Sequence, residues 1–160
     1  MFPKLKPNSE IRLLADLVPR NDMTKKTDST IPNQSMILRT VARAKYRSTL
    51  DLSNWYFQIR VAPEDATLNT IKTPFGTFAC KVMLQVDTYA PSTAMRVMEF
   101  VLDGLIGKTV WAYLDNITIF SDTKEDQIRD IRPVCQRLKD HKIGALPVKC
   151  KSFADRLPLV

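Results

Sequence analysis

The stretch "VWAYLDNITIFSD", residues 110 to 122, limits the fold more than any other part of the chain. Two apolar segments, Trp111 to Leu114 and Ile117 to Phe120, flank Asp115 and Asn116. Short runs rich in β-branched and aromatic residues read as strands, and a polar pair between them reads as a tight hairpin turn. Asparagine suits that place, because its side chain bonds the nearby backbone and it tolerates left-handed conformations.

The other segments arrange themselves around this hairpin. Ile11 to Leu17 reads as a strand, and residues 20 to 35, "RNDMTKKTDSTIPNQS", as a polar surface loop. Met36, Ile37, Val41 and Ala42, with Ala44 and Tyr46, fit a helix capped by Asn33 or Ser35. "YRSTLDLS" reads as a strand ending at Asp51, and "WYFQIRV" as an extended or turning segment. Pro63 opens a short turn or helix, and "NTIKTPFGTFACKVM" predicts two strands around a Pro74 to Gly76 turn. A helix is expected over Thr93 to Leu105, after Pro91. Another runs from about Lys124 to His141, with Asp122 and Glu125 spaced as a capping box. Ile143 to Val148 could return as a strand. From residue 47 the order is strand, two-stranded excursion, helix, hairpin, helix, strand. That order predicts an α+β fold, an antiparallel-centred sheet backed by two helices. It would also make Asp51 and the Asp115 turn neighbours.

Composition removes several classes of function. With 160 residues and 44% of them hydrophobic, the chain can bury one ordinary core. Neither a secretory signal nor a span long enough for a bilayer is evident, so an intracellular protein, cytoplasmic or nuclear and without a membrane partner, is expected. Cys80, Cys135 and Cys150 are odd in number and lack paired spacing, which argues against a disulfide framework or a zinc knuckle and for three small buried hydrophobes. The lone His141 makes a histidine metal site equally improbable. Residues 1 to 50 carry ten Lys/Arg against four acids, and residues 51 to 100 carry four against five. A polyanion-binding face would give such an imbalance, and so would an ordinary solvated basic surface.

Two-metal phosphoryl transfer needs carboxylates from separate strands, because one ion activates the attacking oxygen while the other stabilises the leaving one. An aspartate ending one strand and a pair of acids at the next hairpin would supply them. Asp51 and "YLDN", Tyr113 to Asn116, have that layout.

Six collinear stretches carry a resemblance. They are "IRLLADLVPRND" (11 to 22), "RSTLDLSNWYFQIRVAPED" (47 to 65), "KTPFGTF" (72 to 78), "VMLQVDTYAPST" (82 to 93), "YLDNITIFSDT" (113 to 123) and "LKDHKIGALPVKC" (138 to 150). In these the chain resembles the fingers and palm of reverse transcriptases from gypsy-type LTR retrotransposons. The resemblance implies an RNA- and DNA-templated DNA polymerase, with residues 1 to 46 a partial fingers-like segment and 47 to 160 palm-like. A thumb, connection and RNase H domain would be lacking. It further implies two Mg2+ ions, with Mn2+ as a substitute, and as partners an RNA/DNA template-primer, dNTPs and other domains of a polyprotein.

Residue by residue, it makes Asp51 and Asp115 metal ligands, with Asn116 where the family has a third aspartate. Arg12 falls at an arginine that meets the triphosphate, a polyanion suited to a guanidinium. Tyr56 corresponds to the aromatic that blocks a ribose 2'-hydroxyl, and the backbone of Asn54 and Trp55 to the flank of the triphosphate. Gln85 corresponds to the glutamine beneath the nucleotide and template, and Lys149 to a lysine near the leaving pyrophosphate. Taken singly, each has a plainer reading: Arg12 as a surface residue, Trp55 and Tyr56 as core aromatics, Lys149 as solvated. Departures also cluster at the site. Asn116 supplies no charge, Trp55 stands where a smaller side chain is usual and could fill the nucleotide pocket, Val86 replaces a glycine, and Val18 an arginine. Weak or absent polymerase activity is therefore expected. The alternative is a non-catalytic nucleic-acid-binding or functionless remnant of a retrotransposon polyprotein.

Overall fold

The computed structural model describes residues 2–5, 11–25 and 32–154, with side chains described from residue 14 onward within those ranges. In chain order its elements are β1 (Phe2–Leu5), β2 (Ile11–Leu14), α1 (Val18–Met23), α2 (Gln34–Arg43), β3 (Tyr46–Asp51) and the single-turn α3 (Trp55–Gln58). There follow β4 (Thr70–Thr73), β5 (Gly76–Ala79), α4 (Ala90–Val101), β6 (Val110–Tyr113), β7 (Asn116–Ser121) and α5 (Lys124–Asp140). Short 3-10 turns cover Pro63–Leu68 and Pro147–Lys149. Two compact units result, one from residues 1–29 and 54–91, the other from residues 30–53 and 92–160.

The second unit holds the antiparallel sheet, in the order β3-β7-β6. Alternation along the strands separates its two faces. Ser48, Ile117, Ile119, Val110 and Ala112 are all buried, with Ile119 opposite both Ser48 and Val110. Helix α5 packs against β3 and β7. Its buried Gln127 donates from Nε2 to Ser48 Oγ (2.9 Å) and to the Ile119 carbonyl (3.2 Å). Asp130 accepts from Ser121 Oγ at 2.9 Å. The other face carries Phe120, which packs with Ile37, Val41 and Ala44 at α2 and with Trp111 and Tyr113. Asp51 and Asn116 belong to this second face, in register with each other. Helix α4 buries a stripe of Ala94, Met95, Met98 and Val101, the spacing of one helical face.

Several expectations are corrected in detail. Helix α5 is capped by Thr123, which accepts from Asp126 N and donates to its carboxylate at 2.7 Å, rather than by Asp122 with Glu125. Helix α2 ends at Arg43, so Tyr46 opens β3 instead of closing the helix. Helix α4 starts at Ala90 and ends at Val101. The 143–148 segment is not a continuous strand: Ala145 makes a single bridge to Leu52, just past β3, and a 3-10 turn then leads to a second bridge between Lys151 and Thr49 of β3. Among the cysteines, Cys135 is exposed and Cys80 and Cys150 are half-buried, so none is the buried hydrophobe expected.

In the first unit, β1 pairs with β2 and β4 with β5, both antiparallel. Helix α1 takes its last four residues, Arg20 to Met23, from the stretch that the sequence presents as polar loop. Asp16 Oδ1 accepts from Val18 N at 3.2 Å at its start, and Pro19 supplies a preset φ in the first turn. No helix among the described residues is long and apolar enough to cross a membrane.

Candidate active site

Asp51 ends β3, and Asn116 opens β7 directly opposite it. Asn116 is also the register partner of Tyr113, so the hairpin turn itself is the pair Leu114 and Asp115. The turn therefore lies one residue earlier than the Asp115-Asn116 pair read from sequence. Leu114, not the asparagine, takes the left-handed backbone, with φ 55°. A non-glycine residue pays for that conformation, and such strain persists only where the surroundings hold it. They do: Leu114 N donates to Met95 Sδ at 3.2 Å, and the Asp115 carbonyl accepts from Leu52 N at 2.9 Å. These bonds fix Asp115 beside the end of β3.

The three groups at this corner are already partnered. Asp51 Oδ2 lies 3.4 Å from Lys149 Nζ, and the Asp51 side chain is only 20% exposed. Asn116 Nδ2 reaches Asp115 Oδ1 at 3.5 Å. The strap after α5 supplies the lysine. Gly144 accepts from Ser53 N, Leu146 N donates to the Asp51 carbonyl at 2.8 Å, and Lys149 N donates to the Leu146 carbonyl at 3.0 Å. Between its two bridges, the two residues Leu50 and Asp51 face five of the strap, so three residues are extra. They are the Pro147–Lys149 turn. Chemically the corner offers two carboxylates, one amide carbonyl and an ammonium. Oxygen ligands of this kind suit a hard divalent cation, although no cluster of three or more acids, histidines or cysteines comes together among the described residues.

The residues assigned to the nucleotide lie in the first unit. Arg12 stands on β2 opposite Lys4, and its side chain is outside the described residues. Asn54 adopts φ 46° ahead of α3, and its carbonyl accepts from Phe57 N at 2.9 Å. Tyr56 is half-buried, whereas Trp55 is buried at 2% exposure with no partner for its indole N–H. Gln85 is half-buried in the turn before α4, and Val86 packs beside Ala15, Leu17 and Leu84. Val18, which the resemblance sets at a position usually held by arginine, is 63% exposed.

Sequence reasoning missed the residues that hold the Gln85 loop. Asn21 donates from Nδ2 to the Val86 carbonyl at 2.8 Å and accepts from Thr88 N at 3.1 Å, clamping both sides of Asp87. Arg20 pairs with Asp87 and donates to Asn69 Oδ1 (3.1 Å) and the Leu68 carbonyl (3.2 Å). Buried Asn69 in turn donates to the carbonyls of Cys80 and Val82. The only prior signal was an Arg-Asn pair inside a stretch otherwise read as solvated loop.

Comparison with known proteins assigns this fold to a family. Residues 4–158 match the family described as reverse transcriptase (RNA-dependent DNA polymerase), and the chain belongs to it. It is 30% identical to the Retrovirus-related Pol polyprotein from transposon gypsy of Drosophila melanogaster, over 92% of this chain and 14% of that protein. To the corresponding polyprotein from transposon 297 it is 28% identical, over 89% of this chain and 14% of the relative. The chain thus spans about a seventh of these relatives' length. The fold matches native Prototype Foamy Virus protease-reverse transcriptase with a TM-score of 0.83 at 22% identity, covering 94% of this chain and 20% of that one. A foamy viral protease-reverse transcriptase in complex with double-stranded DNA matches with a TM-score of 0.87 at 18% identity, covering 97% and 27%. The chain is a reverse transcriptase domain of the retrotransposon kind.

Proposed function

We propose that this domain carries a two-metal nucleotidyl-transfer site for template-directed DNA synthesis that has lost one charged ligand, so that its polymerase activity is weak or absent. The observation that carries the reading is the register of β3 and β7, which sets Asp51 opposite Asn116 with Asp115 at the adjoining turn. Asp51, Asp115 and the Asn116 carbonyl oxygen would hold divalent metal, magnesium or manganese. When bound, such ions lower the pKa of an attacking hydroxyl and neutralise charge on the transferring phosphate. Asp51 and Asp115 bind and orient; Asn116 keeps the shape of an aspartate and contributes no charge. Lys149 would approach the leaving pyrophosphate, and Arg12 would pair with the triphosphate. The backbone at Asn54 and Trp55 would flank that triphosphate, Tyr56 would exclude a ribose 2'-hydroxyl, and Gln85 would lie beneath the base.

In this reading residues 1–46 are fingers-like and residues 47–160 palm-like, and an RNA/DNA template-primer and dNTPs are the partners. Solved foamy viral relatives bound to double-stranded DNA and to an RNA/DNA hybrid support that choice. The polyprotein relatives support further domains as neighbours in the same chain. The assignment is tested by single-turnover incorporation on an RNA template with manganese, comparing the chain with Asp51→Asn and Asp115→Asn. Whatever incorporation the chain shows is expected to vanish in both variants, and its survival in either overturns the site.

A net charge of +7 supports a second reading, a binding remnant without catalysis. Its affinity for an RNA/DNA hybrid must then fall steeply with salt. Binding insensitive to salt would discard it.

A further inference from the structure

We infer that Lys149 is a tethered cation that occupies the metal-facing side of Asp51 and must be displaced before a divalent ion binds there. The inference rests on the site assignment above, and it assigns the lysine a role in the resting protein distinct from one at the leaving group.

Its basis is local. Lys149 Nζ lies 3.4 Å from Asp51 Oδ2, so the ammonium sits against one of the two carboxylate oxygens that Asp51 has to offer a metal. The placement is built into the backbone. The Pro147–Lys149 turn is the three-residue excess in a strap otherwise bridged to β3. Its base is tied to Asp51 itself, through Leu146 N to the Asp51 carbonyl and Lys149 N to the Leu146 carbonyl. The other acid, Asp115, faces the Asn116 amide. With Asp51 and Asp115 negative, Lys149 positive and Asn116 neutral, the corner carries one net negative charge. Lys149 is 62% exposed at its side chain, so it can swing into solvent once metal arrives. Displacement then converts it from a counter-ion to a free ammonium beside the ion, where an anionic leaving group would meet it.

The test is Mn2+ binding to the intact chain, read by electron paramagnetic resonance of free Mn2+, for wild type, Lys149→Met, Lys149→Arg and Asn116→Asp. An exposed ion pair contributes at most about 1 kcal/mol, so Lys149→Met is expected to bind Mn2+ about fivefold more tightly. Lys149→Arg, which keeps the charge, should match wild type. Equal or weaker binding by Lys149→Met overturns the inference, and so does its absence in every form. If Asn116→Asp tightens binding and Lys149→Met does not, the impaired-site reading survives and the tethered cation fails. The reverse pattern retains the cation and removes the impairment. Acylation of Lys149, followed by mass spectrometry, supplies a second readout. Mn2+ is expected to accelerate it at this lysine, and an unchanged rate contradicts displacement.

Discussion

Restoring the carboxylate by Asn116→Asp should make folding stability depend on metal. Asn116 stands opposite Asp51 across β3 and β7, and its amide donates to Asp115 at 3.5 Å. In the variant a negative group would face Asp51 and adjoin Asp115, and the amide's donated hydrogen bond would be gone. Like charges directly opposed on a sheet cost roughly 0.2–1 kcal/mol per pair. Lys149 already neutralises part of the charge on Asp51, so a net loss of about 1 kcal/mol is expected without metal. For a domain of this size that lowers the melting midpoint by about 2–4 °C. Metal reverses the sign, since an ion at a hundredfold its dissociation constant stabilises by about 2.7 kcal/mol. Differential scanning fluorimetry in EDTA and across a Mn2+ series reads both limbs. The variant should melt below wild type in EDTA and above it in saturating Mn2+. A variant as stable as wild type in EDTA, or one that gains no more from Mn2+ than wild type does, refutes the reasoning.

Two further outcomes follow from contacts away from the acids. Arg20→Ala removes the pair with Asp87 and the bonds to Asn69 and Leu68, which should cost about 1 kcal/mol and speed amide exchange over Asp87 to Tyr89; unchanged exchange would show that the loop stands without it. Pro133 lies inside α5, where it lacks an N–H and crowds the preceding turn, so Pro133→Ala should raise stability by about 1–3 kcal/mol in chemical denaturation, and a loss would contradict that account.

The sheet was legible because its residues signal locally. Ile117 and Ile119 alternate with Thr118 and Phe120, and β3 ends at Asp51 as the pattern required. Helix α5 was legible in its span, down to its start at Lys124, although the residue that caps it is Thr123 and not Asp122. The neighbourhood of Asp51 and Asp115 followed from that order of elements. What escaped depends on tertiary contact. Helix α1 is six residues long, too short to announce itself by periodicity, and is held through Asp16, Arg20 and Asn21. The left-handed residue of the turn is Leu114, although Asn116 looked better suited, because Asn116 is committed to pairing with both Tyr113 and Asp51. The pairing of Lys149 with Asp51 depends on an irregular turn between two single bridges, which no alternation pattern encodes.

The measurement closest to the central claim is primer extension on an RNA template by wild type and Asn116→Asp under single-turnover conditions. At an effective dielectric near 20 and a separation of about 4 Å, one unit charge against a divalent ion is worth on the order of 8 kcal/mol before desolvation. Survival of even a third of that amounts to about a hundredfold in rate. The variant is therefore expected to extend primer about a hundredfold faster than wild type with magnesium. Extension by wild type at the same rate as the variant would show that Asn116 does not impair the site.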